Sequence, residues 1–346
     1  MSKSNYYDGT KLLSLKDING KTPEVFMCTS NRSAGKTTYF NRLVVNRFIK
    51  RGEKFALLYR FNYELDGCDE KFFKDIKELF FPEYDMTAAK KMKGIYQELY
   101  LNEEPCGYAI SINSADQLKR NSHLFSDIDN IIFDEFQSEQ NHYCDKEVEK
   151  FISIHNSIAR GRSKQSRYVP VYMISNPVTI LNPYYVAMDI STRLQKDTHF
   201  LRGDGFVLEQ GYNETAAKAL KSSAFNRAFG SSDYIAYSAE GVYLQDDLSF
   251  VDTPTGRGKY VATIRYAGID YGVREYPELG IVFCDKSVDY QYPLKITVDT
   301  ADHKLNYVMV SSNFILIQKL RYYFEHGCMR FKDLQAKEAI LKALSF

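Results

Sequence analysis

The stretch from Glu24 to Thr38, EVFMCTSNRSAGKTT, constrains the fold more than any other part of the chain. Val25, Phe26, Met27 and Cys28 form an apolar run that predicts a short buried strand. The run ends in small polar residues, reaches Gly35-Lys36-Thr37 and passes into the helix-like TYFNRLVVNRFIKR. Strand, small-residue loop and helix start are the setting that a phosphate-binding loop requires. Backbone N–H groups of residues 32 to 37, aided by the positive end of the helix, would cradle triphosphate oxygens. Gly35 keeps a Cβ away from the phosphates. Lys36 would bring a point charge to the β- and γ-phosphates, and Thr37 a hydroxyl to Mg²⁺. In the spacing G-x-x-x-x-G-K-[ST], Ser30 takes the place of the first glycine, and Asn31, Arg32, Ser33 and Ala34 fill the interval. A plain helix start with an exposed lysine is the simpler alternative.

A second signal lies about a hundred residues on, in DNIIFDEF from Asp129 to Phe136. An apolar run ending in Asp-Glu predicts a strand that delivers two carboxylates to its C-terminal end, where ligands sit in parallel α/β sheets. Asp134 would hold Mg²⁺, directly or through water, and Glu135 would polarise the attacking water as general base. A strand followed by a solvated acidic turn has the same pattern. Together the two motifs predict an α/β nucleotidase of the ASCE type, a P-loop ATPase domain with a mainly parallel sheet and a glutamate beside the Mg²⁺ aspartate.

Further elements follow in order. Lys54–Tyr59 (KFALLY) predicts a second buried strand, KFFKDIKELFF from Lys71 a helix, and Tyr96–Leu101 with Tyr108–Ile112 a hairpin. Ser114–Arg120 predicts a short helix or loop exposing Lys119 and Arg120, two candidates for phosphate contact with DNA, although a solvated surface role suits such residues equally. Asp145–Arg160 has helical periodicity and ends in Ala-Arg-Gly-Arg-Ser. Arg160 and Arg162 at that rim can neutralise transition-state charge, in their own subunit or a neighbour's, or can simply cap the helix end. Tyr168–Ser175 predicts another buried strand, closed by Asn176-Pro177; Asn176 is placed to sense the γ-phosphate, to hold Glu135, or simply to make a turn.

The chain has 346 residues and a formal net charge of +1, so contact with nucleic acid has to use local patches. Its six cysteines, at 28, 68, 106, 144, 284 and 328, show neither C-x-x-C pairs nor zinc spacing and suit a reducing cytosol. No apolar run is long enough for a membrane span, and MSKSNYYDGTK does not read as a signal peptide.

Taken in order, SNRSAGKT, IIFDEF, IARGR and MISNP followed by LNPYY resemble the small ATPases that package DNA in phi29-type podophages. The serine in place of the loop's first glycine, with an arginine inside the loop, also resembles the large terminase motor subunits. The resemblance implies a viral DNA-packaging motor that uses ATP and Mg²⁺ to drive double-stranded DNA into a procapsid. It further implies a homo-oligomeric ring, a pentamer, working in the host cytoplasm at the procapsid vertex. Its partners there would be the capsid portal or connector protein and, in some members, a packaging RNA. On matching positions it makes Lys36 and Thr37 nucleotide and Mg²⁺ contacts, Asp134 the Mg²⁺ carboxylate and Glu135 the base. Arg160, with Arg162 as runner-up, would act on the neighbouring subunit's ATP, and Asn176 would couple nucleotide to movement. A terminase-like endonuclease with an auxiliary ATPase, and a helicase or remodelling ATPase, are the alternative functions.

The expected organisation is an ATPase motor domain over 1–205, a small helical linker over 206–250, and an α+β domain over 251–346. Within the linker, Asn213–Phe229 predicts one helix capped by Gly230. In the last domain YVATIRYAGID, ELGIVFCD, LKITVD and NYVMVS predict strands, followed by helices over Asn313–Glu325 and roughly Phe331–Leu344. Asp270 and Asp299 would end strands, as metal carboxylates do in RNase H-like nucleases. With Asp333 as the sole later candidate, at a helix start where it can equally cap, the resemblance implies an inactive nuclease fold that binds nucleic acid or a neighbouring subunit. Lys319, Arg321, Arg330 and Lys332 are its candidate nucleic-acid contacts.

Overall fold

The computed structural model describes residues 7–120, 122–140, 142–160, 165–191, 193–194, 198–229, 238 and 250–344. Two compact units divide the chain, Met1–Gln245 and Asp246–Phe346.

In the first unit the order is α1 (Thr10–Ser14), β1 (Val25–Thr29), α2 (Lys36–Arg51), β2 (Lys54–Tyr59), α3 (Cys68–Phe80), β3 (Met86–Lys91), β4 (Tyr96–Leu101) and β5 (Glu104–Ser111). Then come α4 (Ala115–Lys119), β6 (Ile128–Asp134), α5 (Glu147–Ala159), β7 (Val171–Ser175), α6 (Pro183–Ala187), β8 (Phe200–Arg202), β9 (Phe206–Gln210), α7 (Glu214–Ser222) and α8 (Ala224–Ala228). Nine strands form one sheet in the order β3-β4-β5-β2-β6-β7-β1-β9-β8. The six from β5 to β9 run parallel, and antiparallel pairings add β4 and β3 at one edge and β8 at the other.

The central strands are continuous apolar runs because helices cover both faces of a parallel sheet. Side chains alternate between two cores along each strand: Ile131 and Phe133 face one, with Phe151 and Ile158 of α5. Ile132 faces the other, with Phe40, Val44 and Phe48 of α2. Each such side chain, fully buried, contributes about 1.5–3 kcal/mol. Helix α2 stops at Gly52, whose left-handed backbone returns its N–H to the Phe48 carbonyl at 2.7 Å.

Residues 206–210, expected to open the linker, instead form β9, which pairs in parallel with β1 from Val25↔Phe206 to Thr29↔Gln210. The helix expected over Asn213–Phe229 is two helices, because Ser223 leaves the helical conformation and caps α8 by accepting the Asn226 N–H at 3.2 Å. Gly230, its expected cap, lies outside the described residues. The helix expected from Lys71 starts at Cys68, behind the left-handed Gly67. Strand β3, MTAAKK, has no counterpart in the sequence reading; alanine and lysine are weak strand formers, and at an edge the neighbouring β4 specifies the pairing.

The second unit contains β10 (Lys259–Tyr266), β11 (Ile269–Tyr276), β12 (Ile281–Asp285), β13 (Lys295–Thr297), β14 (Val308–Met309), α9 (Phe314–Glu325), β15 (Met329–Phe331) and α10 (Leu334–Leu344). Its six strands lie in the order β14-β13-β10-β11-β12-β15. Strands β10, β11 and β12 are an antiparallel meander, with β13 parallel to β10 and β15 parallel to β12. Helices α9 and α10 close one core with Ile264, Val273, Val282 and Phe331. This is the α+β arrangement expected, but β15 has no counterpart in the sequence reading, and of the strand expected over NYVMVS only Val308–Met309 forms. YVATIRYAGID is not one strand: Ala267 and Gly268, at φ of 49° and 79°, turn it into the β10–β11 hairpin.

Candidate functional site

Strand β1 runs into the loop of residues 30–35, which delivers Lys36 and Thr37 as the first residues of α2. Gly35 holds φ at 91°, a left-handed value that glycine adopts without strain, and Ser33 holds 58°. The loop is braced from outside the motif. Asn31 is fully buried; its side-chain Nδ2–H donates to the Asn213 carbonyl at 3.1 Å and its Oδ1 accepts the Asn213 N–H at 2.9 Å. Gly211 donates its N–H to the Thr29 carbonyl at 2.7 Å, and Tyr7 donates its N–H to the Ala34 carbonyl at 2.8 Å. Tyr7 thus ties the segment before α1 to this loop.

Lys36 is buried, and its Nζ donates to the Ser30 carbonyl and hydroxyl at 3.0 Å, the Asn31 carbonyl at 3.2 Å and Asn176 Oδ1 at 3.2 Å. Burial lowers its pKa, against the nearby Cys28 and Asp134. Ser30, in the position of the usual glycine, thus serves as an acceptor for the lysine. Thr37 donates its hydroxyl to Asp134 Oδ2 at 2.8 Å.

Asp134 ends β6, and β7 separates β6 from β1 in the sheet. Reach across that intervening strand comes from the helix start on one side and the strand end on the other. Asp134 Oδ1 also accepts the N–H of Glu135, at 2.9 Å. Desolvation raises the Asp134 carboxyl above the usual carboxylate range, although Thr37 and Lys36 oppose it. Glu135 follows with a left-handed backbone, φ 56°. Its carboxyl opens to the cleft while protein crowds it from behind; this desolvation, then the charge of Asp134, raises its pKa. Asn176 follows β7 and stands between the loop and the acidic pair. A cavity of about 350 Å³ is lined by Arg32, Gly35, Thr37, Asp134, Glu135 and Asn176. A carboxyl with a raised pKa beside backbone donors and a buried lysine suits phosphoryl chemistry.

Arg32 leaves the loop to pair with Glu139 in the segment after β6. Arg160 is the exposed C-cap of α5 and is not brought to this cleft in a single chain. Arg162 lies outside the described residues. Lys119 and Arg120 are exposed at the end of α4.

Two buried residues were missed by the sequence reading. Arg60, just after β2, donates Nε to both carboxylate oxygens of Glu147, at 2.8 and 3.1 Å, and Nη2 to the Phe136 carbonyl at 2.9 Å. A charged residue closing an apolar run was the only signal in the sequence, and its partner lies 87 positions away.

In the second unit, the carboxylates expected at strand ends are engaged. Asp270 is the second residue of β11 and accepts Arg265 Nη1 at 2.9 Å. Asp299 caps a short 3₁₀ turn by accepting the Ala301 N–H at 2.9 Å. Asp333 caps α10 by accepting the Ala336 N–H at 2.8 Å. Among the described residues no group of three or more His, Cys, Asp or Glu side chains is placed to hold a metal ion. The four basic candidates also have partners: Lys319 pairs with Glu275, Arg321 donates to the Leu344 carbonyl, Arg330 to the Gly327 carbonyl and Lys332 to the Thr253 hydroxyl. No helix among the described residues is long and apolar enough to cross a membrane.

Known proteins resemble the chain along most of its length. It is 24% identical over 337 residues to a DNA packaging protein of Bacillus phage phi29, covering 96% of this chain and 95% of that one. To a DNA packaging protein of Bacillus phage B103 it is 26% identical over 315 residues, covering 87% and 90%. Its fold matches a chain of the bacteriophage phi29 genome packaging motor assembly with a TM-score of 0.69, at 22% identity, over 99% of this chain and 98% of that one. It also matches the Phi-28 gp11 DNA packaging motor with a TM-score of 0.60, at 14% identity, over 99% of both chains. The model of the podovirus DNA encapsidation protein (Gp16) family matches residues 1–344, and the chain belongs to that family.

Proposed function

We propose that this DNA encapsidation protein hydrolyses ATP in the cleft between the loop of residues 30–35 and the Asp134–Glu135 turn, and that hydrolysis drives double-stranded DNA into a procapsid. The observation that carries the reading is the meeting of Thr37 with Asp134 at 2.8 Å, across the intervening β7. Backbone N–H groups at the start of α2 would bind the phosphates. Lys36 would exchange its contacts with Ser30, Asn31 and Asn176 for phosphate oxygens. A hydroxyl and a carboxylate are the hard oxygen donors that Mg²⁺ takes, so Thr37 and Asp134 would hold it, and it would neutralise charge on the phosphoryl oxygens. Glu135 would accept a proton from the attacking water, and its raised pKa makes it a stronger base than an ordinary glutamate.

The class of ATPase with an extra strand between the phosphate-loop strand and the acidic strand, the ASCE class, is supported by the position of β7. Arg160 would complete a neighbouring subunit's site, which makes a ring, five subunits by family resemblance, the working unit. Lys119 and Arg120 would touch DNA phosphates, a contact without sequence information that suits transport of any duplex. The capsid portal or connector protein and a packaging RNA are the proposed partners at the vertex. The second unit would be an RNase H-like fold without nuclease activity; the engagement of Asp270, Asp299 and Asp333 supports that.

The test is ATP turnover by the full chain with and without duplex DNA. Lys36→Ala and Glu135→Gln are each expected to lower turnover about 100-fold or more, and parental turnover in either variant refutes the site. Mixing Arg160→Ala with Glu135→Gln subunits should restore part of the activity, since each then supplies what the other lacks. Well-assembled mixed rings with no recovery would exclude Arg160 from action on its neighbour.

A further inference from the structure

We infer that Arg60 is a positioning residue for hydrolysis: clamped by Glu147, its guanidinium grips the backbone of the acidic turn and thereby aims the Glu135 carboxylate at the nucleotide. The inference rests on the reading of Glu135 as the general base.

Arg60 and Glu147 are among the most deeply buried charged residues of the first unit, with side chains 7% and 1% exposed. A buried guanidinium needs a partner for each donor, and here the partners divide its work. Nε meets the Glu147 carboxylate. The two terminal nitrogens face the turn, Nη2 donating to the Phe136 carbonyl at 2.9 Å and both lying 3.4 Å from the Glu135 carbonyl. The plane is held between the rings of Phe133 and Tyr143, at 5.6 and 4.9 Å from their centroids. Glu147 is fixed in turn, accepting the Tyr184 hydroxyl at 3.0 Å and the Cys144 N–H at 2.9 Å.

What this assembly holds is a strained piece of chain. Glu135 sits at φ 56°, where a side chain of its size is disfavoured. Such a conformation persists only if the surroundings fix it, and Arg60 grips the carbonyl of the Glu135–Phe136 peptide and that of the Phe136–Gln137 peptide after it. Release of those carbonyls would let the Glu135 backbone relax out of the left-handed region and turn its carboxylate away from the cleft. Glu147 is also the first residue of α5, whose other end is Arg160. Its 13 residues span roughly 20 Å at about 1.5 Å each. The clamp that sets Glu135 therefore also anchors the helix that carries Arg160.

The experiment uses the full chain and separates binding from turnover. Arg60→Met combined with Glu147→Leu removes both charges, which leaves neither unpaired in the core. Affinity for a fluorescent ADP analogue with Mg²⁺ should stay within about twofold of the parent, while kcat falls about 100-fold, the size expected when a base is misplaced by about an ångström. Arg60→Lys keeps the ion pair but cannot reach both carbonyls, so about a tenfold loss in kcat is expected. Parental kcat in the double variant overturns the inference, and so does a loss of kcat matched by an equal loss of nucleotide affinity. Should the double variant not fold, Arg60→Lys decides by the same comparison. Glu135→Gln is the control: if it is inactive while the Arg60 variants are normal, this inference alone fails, and if it is fully active, the base assignment fails first.

Discussion

Asp134, the last residue of β6, and Asp270, the second residue of β11, are both part-buried carboxylates at a strand terminus, one in each unit, and they are treated in opposite ways. Arg265 lies across the β10–β11 hairpin from Asp270, with side chains 10% and 11% exposed and 2.9 Å between them. Arg274 does the same for Asp285 on β12. In the second unit, charge at a strand end is closed off by a fixed guanidinium. Asp134 has no such partner among the described residues: its contacts there are a threonine hydroxyl, a backbone N–H and the field of a lysine, and its pKa is raised. A carboxylate kept desolvated without a full counter-charge is a place for a cation to enter. Similar sequence patterns, an apolar run ending in Asp, thus yield one site that is open and another that is neutralised internally.

The largest effect that would break this contrast lies in the second unit. Removing Asp270 strands a guanidinium at about one-tenth exposure, with the Asp302 carbonyl as its other partner. Asp270→Ala should destabilise that unit by about 3 kcal/mol in chemical denaturation, and Arg265→Met with Asp270→Leu should recover most of it. Supercoiled plasmid incubated with Mn²⁺ should stay intact with parent and variant alike. Metal-dependent nicking that Asp270→Ala abolishes would show that the carboxylate is open after all.

A smaller effect concerns proton affinity. As the proposed base Glu135 would act only when ionised, and its pKa is raised, so it takes up its proton at a higher pH than an ordinary glutamate near 4.3. The acid limb of kcat should therefore lie above that value, with turnover lost as pH falls through it. Glu139 contributes to the rise and Arg32 opposes it. Glu139→Gln removes the first and releases the second, and the limb should move down. An upward move would mean that the Arg32–Glu139 pair acts on Glu135 in the reverse sense.

The open site was the more legible of the two. Both halves of it are local: Val25–Cys28 running into Gly35-Lys36-Thr37, and Ile131–Phe133 running into Asp134-Glu135, so periodicity and residue type were enough to find them. Its braces were not legible, because they are made between distant segments. Asn31 meets Asn213, Arg60 meets Glu147, and nothing local distinguishes these asparagines and charges from surface residues. The position of β7 between β1 and β6 follows the strand order expected of an ASCE-type domain, although no pattern within a strand specifies it, since the order of parallel strands depends on crossovers. In the second unit the misplacement of Asp270 came from one turn. Ala-Gly is a weak hairpin signal, so β10 and β11 read as a single strand and Asp270 was assigned to its end instead of to the start of the next.

Ser30→Gly, which restores the usual spacing of the phosphate loop, should have the smallest effect and sharpens the contrast furthest. An arginine clamp such as Arg265–Asp270 depends on one partner, whereas Lys36 shares three protons among four neutral acceptors. Loss of the Ser30 hydroxyl leaves three, enough for every proton, so the cost is limited to about 0.5–1 kcal/mol for one hydrogen bond. Glycine adds a further 0.5–1 kcal/mol or so through the freedom it gives the unfolded chain. A fall of about 2–6 °C in the melting temperature follows for a unit of this size. Affinity for ATP should change by less than about fivefold, because in the proposed site phosphate oxygens would replace these acceptors and the backbone donors of the loop are unchanged. A hundredfold loss would mean that the lysine is positioned by this one hydroxyl, and that the open site is held as tightly as the closed one.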